Sequence, residues 1–95
     1  MDKLASDQIE AQLASLPEWT LSGESLQRTI GFDDFQAAMG FVNKVAEVAE
    51  EVQHHPDILV RYAKVSLTLT THDAGGLTQR DFDMASTLER VISGA

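Results

Sequence analysis

From Ser6 to Leu16 the apolar residues Ile9, Leu13 and Leu16 recur at spacings of four and three. That is one stripe of a short helix, with Ser6 as its expected N-cap and Pro17 as its stop. Trp19-Thr20-Leu21 then alternates, and Ser22-Gly23-Glu24 supplies turn chemistry. Leu26, Ile30 and Phe32 share one parity in the following run, with Arg28 as the polar exception. The two runs read as a hairpin.

Phe32-Asp33-Asp34-Phe35-Gln36 is a helix start. Asp33 is the expected cap, Gln36 stands three residues on as in a capping box, and Phe32 can pack back onto the first turn. Phe35, Met39, Val42, Val45, Ala46, Ala49 and Val52 follow at helical spacing, which predicts the longest helix, from about Asp34 to Gln53. Pro56 disfavours helical geometry at His55, so this helix should end at the histidine pair. Ile58, Val60 and Tyr62 alternate with Leu59 and Arg61, and a tight connection is expected near Ala63. Val65, Leu67 and Leu69 then alternate with Lys64, Ser66, Thr68 and Thr70, the pattern of a half-buried antiparallel strand. Asp73-Ala74-Gly75-Gly76 reads as a loop whose glycines can take positive φ. The last helix opens at Thr78 as N-cap with Asp81 at the third position, and Leu77 can staple onto Phe82. Its buried face should be Phe82, Ala85, Leu88, Val91 and Ile92, with Gly94 as the stop.

The order is helix, two strands, helix, two strands, helix. Without βαβ alternation this predicts an α+β fold: a four-stranded antiparallel sheet with three helices packed on one face. The 95 residues leave room for one core only, so residues 1–95 form a single domain that gains from oligomerising.

Charge narrows the choice of partners. A net charge of −8, with seven scattered Lys and Arg, lacks the basic footprint that nucleic acid or an anionic membrane surface requires. The chain has no cysteine, hence no disulfide, thiolate nucleophile or cysteine-based metal site. Its first residues lack a positive, apolar leader and no run is long enough to span a membrane, so a cytoplasmic protein is expected.

All three histidines fall in two short segments, Glu50-Glu51-Val52-Gln53-His54-His55-Pro56 and Thr71-His72-Asp73. Imidazole titrates nearest neutrality of all side chains, so clustered histidines point to proton transfer. Glu47, Glu50 and Glu51 crowd the end of a helix where the macrodipole disfavours negative charge, a broken local rule of the kind found at functional sites. The plain alternative is a solvated acidic face. Glu50 and His54 are four apart, so a persisting helix would let the carboxylate fix the tautomer of His54. His72 has the parity of the polar side of its strand. Zinc is disfavoured, because neither a helical i, i+4 His pair nor a His-x-His pair is present. Arg80 most simply lies exposed in a first helical turn, and it could instead close over a polar or anionic ligand.

The spacing of Glu50, His54-His55-Pro56, Tyr62, His72 and Asp81 resembles the signature of the pterin-4a-carbinolamine dehydratases. The run from Lys64 to Asp81 is similar to the same family without a gap, and the resemblance extends over nearly the whole chain. It implies dehydration of 4a-hydroxytetrahydrobiopterin to quinonoid dihydrobiopterin, the recycling step after aromatic amino acid hydroxylation. By that resemblance His54 and His72 form an acid–base pair and His55 binds or orients the pterin. Glu50 would support His54, Arg80 would line the pocket, and Pro56, Thr71 and Asp73 would complete it. Such chemistry needs no metal or organic cofactor. The resemblance further implies a homodimer or homotetramer and a pathway link to an aromatic amino acid hydroxylase. Two other readings keep the fold: a non-catalytic coactivator module, as in animal members that bind a homeodomain transcription factor, or a relative acting in molybdopterin or folate metabolism. The sequence departs from the family pattern at Ile58, where an aromatic residue is common.

Overall fold

A computed structural model describes residues 2–94. The chain runs α1 (Ser6–Leu13), β1 (Thr20–Ser22), β2 (Ser25–Gly31), α2 (Phe35–Val52), β3 (Asp57–Arg61), β4 (Lys64–Leu69) and α3 (Gln79–Gly94), with a short 3-10 turn at His72–Ala74. The four strands make one antiparallel sheet in the order β1-β2-β4-β3.

One face of the sheet carries the core. Leu26 and Ile30 of β2 and Val65, Leu67 and Leu69 of β4 are buried against Ala38, Phe41, Val45 and Ala49 of α2 and Phe82, Ala85 and Leu88 of α3. The alternate residues Gln27 and Thr29, with Ser66 and Thr68, lie on the opposite face, which no helix covers. Alternation thus sets which way each strand faces. α1 buries nothing completely, but Ile9 and Leu13 rest on the core, and Leu16 and Trp19 behind it are buried. Arg28 shares the inward parity of Leu26 and Ile30 and is accommodated by charge. Its Nε donates to Glu89 of α3 at 2.7 Å, and the same oxygen accepts Trp19 Nε1–H at 2.8 Å.

Three local expectations shift. α1 begins at Ser6 rather than after it, and the Gln8 side chain accepts the Ala5 N–H at 2.9 Å in place of a serine cap. α2 is capped by Asp34, not Asp33: the Asp34 carboxylate accepts from Ala37 N–H at 2.8 Å. The expected apolar stripe of α2 is only partly the buried one. Phe35 and Val52 are about half exposed, at 49% and 47%, while Ala38 and Phe41 face the core. The helix is apolar over more than one face, so two stripes fit the same period.

Candidate active site

α2 ends where Gln53 takes a left-handed conformation, φ 55° and ψ 42°, and its N–H bonds back to Ala49 O. A non-glycine residue in that region is uncommon and redirects the chain sharply. The two histidines that follow therefore part company. His54 turns into the protein, where its Nε2 meets Asp81 Oδ1 of α3 at 2.6 Å with both side chains buried. His55 stays outside, with Nε2 at 2.6 Å from Glu50 Oε2 and both partners exposed. Glu50 therefore supports His55 and not His54, because the left-handed turn at Gln53 breaks the helical register that would have put Glu50 beside His54. An ion pair so exposed contributes little to stability.

β4 stops at Leu69, and Thr71 forms an isolated bridge with Gly76. The loop between them folds as a 3-10 turn closed by Gly75 at φ 74°, with Gly75 N–H bonding His72 O at 3.0 Å. His72 is therefore the first residue of a turn and not a strand residue. It is exposed, as is Asp73, and its imidazole makes no hydrogen bond among the described residues. Thr71 beside it is buried.

Asp81 ties these segments together. Its Oδ2 accepts Thr71 Oγ1–H at 2.8 Å and Thr78 N–H at 2.9 Å, while Oδ1 takes His54. It caps α3 as its position three residues after Thr78 indicated, and it also anchors both histidine-bearing segments. Thr78 Oγ1 is spent on Thr71 Oγ1, 2.9 Å away, rather than on the helix end. No buried side-chain nitrogen or oxygen among the described residues lacks a partner.

A cavity of about 230 Å³ opens among these groups, lined by Gln53, His54, His55, Thr70, Thr71, His72, Asp73 and Arg80. Arg80 reaches across it to the Gln53 carbonyl, closing the end of α2 onto α3. Six of the residues singled out in the sequence thus meet at one place. Pro56 and Glu50 stand outside the lining, Glu50 reaching it only through His55. Larger hollows of about 300 and 560 Å³ elsewhere carry no imidazole. Among the described residues no three His, Asp or Glu side chains are placed to hold a metal ion.

Comparison with known proteins finds relatives over nearly the whole chain. The family model described as Pterin 4 alpha carbinolamine dehydratase matches residues 2–91. A protein of Acidobacterium capsulatum provisionally named a pterin-4-alpha-carbinolamine dehydratase is 54% identical over 92 residues, spanning 97% of this chain and all of that one. One from Nostoc sp. with the same name is also 54% identical, over 96% of this chain and 99% of its own length. A solved structure from Brucella melitensis, described as a transcriptional coactivator/pterin dehydratase, superposes with a TM-score of 0.88 at 33% identity, covering 95% of this chain and 98% of that one. By its matched length and by its identity to these relatives, the chain belongs to the pterin-4a-carbinolamine dehydratase family.

Proposed function

We propose that this protein dehydrates 4a-hydroxytetrahydrobiopterin to quinonoid dihydrobiopterin, with His54 and His72 as its acid–base pair. The observation that carries the reading is that two histidines on separate segments line one small polar cavity, and that a single buried carboxylate bonds the ring of one, His54, and the side chain of Thr71, the neighbour of the other. The reaction breaks the C4a–O bond and the N5–H bond and forms C4a=N5 and water. One proton must reach the leaving oxygen and one must leave the adjacent nitrogen, which is work for two imidazoles. Relatives named for this dehydration support the substrate class.

His55, steadied by Glu50, orients the pterin at the cavity mouth. Arg80 and the polar groups of Thr71 and Asp73 serve the heteroatoms of the ring, and Pro56 fixes the exit of the chain. The activity belongs to tetrahydropterin recycling in the cytoplasm, coupled to an aromatic amino acid hydroxylase.

A second copy of the chain completes the reading. β3 is an edge strand with Leu59 56% exposed, and Asp57-Ile58-Leu59-Val60-Arg61 is self-complementary. Antiparallel pairing centred on Leu59 sets Asp57 opposite the second copy's Arg61, and Ile58 opposite its Val60. That pairing satisfies the free edge and opposes unlike charges. A homodimer follows, and two such dimers could join through the exposed stripe of α2.

The test is the decay of enzymatically generated 4a-hydroxytetrahydropterin, followed by absorbance with and without protein. Wild type should accelerate it, and His54→Ala and His72→Ala should each lose most of the gain, roughly 10²–10⁴-fold for a lost acid or base. Decay equal to buffer would exclude this substrate. Full activity in either variant would remove that histidine from the mechanism.

A further inference from the structure

The hydrogen bonds that reach Asp81 Oδ2 have one consistent direction. Thr71 Oγ1 gives its single proton to Asp81 Oδ2, so the proton in the 2.9 Å contact with Thr78 must come from Thr78 Oγ1. Thr78 N–H is a donor without choice, and it ends on the same oxygen. With two donors already on Oδ2, that oxygen carries no proton, and because a carboxyl gives up its proton more readily than an imidazolium does, the proton shared across Oδ1 belongs to the ring and Asp81 is a carboxylate. The remaining contact, 2.6 Å from His54 Nε2 to Oδ1, then requires the ring proton on Nε2. His54 Nδ1 makes no hydrogen bond among the described residues. Since every buried side-chain nitrogen among the described residues has a partner, Nδ1 is not sealed in. His54 lines the cavity, so a ring nitrogen that is not sealed in is within reach of a ligand there.

We propose that Asp81 is a positioning residue that commits the neutral His54 to its Nε2–H tautomer, leaving Nδ1 as the proton acceptor of the site and His72 as the donor. An imidazole whose only proton is held by a buried carboxylate has a lone pair, not a proton, to present to a ligand. His72 has no such partner among the described residues and is free to deliver one. The steps balance: Nδ1 of His54 takes the proton from pterin N5, the C4a–O bond breaks, and the imidazolium of His72 gives its proton to the departing oxygen. His54 ends as imidazolium and His72 as neutral imidazole. Solvent at the open cavity then returns the pair to its starting state. The same carboxylate that sets the tautomer also holds Thr71, the neighbour of His72. Asp81 therefore fixes which nitrogen faces the ligand and also how the two histidine segments lie relative to each other.

The assignment of acceptor and donor rests on the dehydratase reading, whereas the tautomer does not. The decisive measurement is long-range ¹H–¹⁵N correlation spectroscopy of the histidine rings in the full chain, at a pH where His54 is neutral. Wild type should show Nε2 protonated and Nδ1 bare. In Asp81→Asn the amide oxygen replaces Oδ2 for Thr71 and Thr78, and the amide N–H faces Nε2. The tautomer should invert, and kcat should fall roughly 10²–10⁴-fold with KM little changed. A wild-type His54 protonated on Nδ1, or a tautomer unmoved in folded Asp81→Asn, would overturn the proposal. The wild-type spectrum decides even if the variant fails to fold. An Nε2–H tautomer in a protein inactive on the pterin would uphold the role of Asp81 in setting the tautomer and sink the dehydratase reading alone.

Discussion

Replacing Thr71 with valine removes one buried hydroxyl and keeps the shape of the side chain. Two effects follow from the geometry. Asp81 Oδ2 loses a donor at 2.8 Å, and a hydrogen bond to a charged acceptor contributes about 1.5–3 kcal/mol. Thr78 Oγ1–H, fully buried, loses the acceptor at 2.9 Å and is left unpaired, at a cost of about 1–3 kcal/mol. Asp81 keeps His54 and Thr78 N–H, so the site is weakened rather than dismantled. The two effects add to ~2.5–6 kcal/mol, with the lower end favoured because Asp81 keeps two of its donors, against a total stability of ~5–14 kcal/mol for a chain of this size. Thr71→Val should therefore still fold. Urea titration followed by the fluorescence of Trp19, the chain's single tryptophan and a buried one, reads the change as a lower midpoint at unchanged slope. The second replacement sharpens the test. Thr78→Val alone takes one donor from Thr71 and should cost ~0.5–1.5 kcal/mol. In the double variant the stranded hydroxyl is gone, so the pair should be less destabilised than the sum of the singles by ~1–2 kcal/mol. Additive losses, or a Thr71→Val protein within ~0.5 kcal/mol of wild type, would show that the hydroxyl chain does not hold Asp81 as described.

Two further outcomes follow from particular contacts. Asp34→Ala removes the side-chain acceptor for Ala37 N–H and should cost ~0.5–2 kcal/mol by urea unfolding, whereas Asp33→Ala should be nearly silent. Equal losses at the two positions would refute the cap assignment. Leu59→Lys puts two like charges face to face at the centre of the proposed β3 pairing. It should shift sedimentation from dimer to monomer with the fold retained, and an unchanged dimer would place the interface elsewhere.

The elements of this fold are legible because each strand and helix carries its own period. Leu26 and Ile30, and Val65, Leu67 and Leu69, declare their inward faces by simple alternation, and the structure buries all five. Antiparallel order and the element sequence follow from that local record. α2 is the exception that shows the limit of the method. Its apolar residues outnumber what one stripe needs, so period alone could not choose Ala38 and Phe41 over Phe35 and Val52, a choice made by the sheet beneath.

The histidine cluster was legible as a gathering of residues but not in its geometry, and the reason lies in one backbone torsion. The four-residue interval between Glu50 and His54 describes neighbours only while the chain stays helical. Gln53 at φ 55° ends that condition one residue early and exchanges the partners, giving Glu50 to His55 and His54 to Asp81. Nothing local marks Gln53 for the left-handed region, where glycine or asparagine is the usual signal. Asp81 was visible as a helix cap for the complementary reason: the contact to Thr78 spans three residues, whereas those to Thr71 and His54 span 10 and 27. A capping aspartate normally serves one backbone amide at the surface, and this one is completely buried. Burial changes what the residue must do. A carboxylate shut away from water needs donors for both oxygens, and the helix start supplies only Thr78 N–H, so the rest come from the segments that carry His54 and His72. The local cap and the long-range anchor are thus one requirement met by one side chain. Any substitution that spares the cap but alters the Oδ1 side should separate folding from proton transfer.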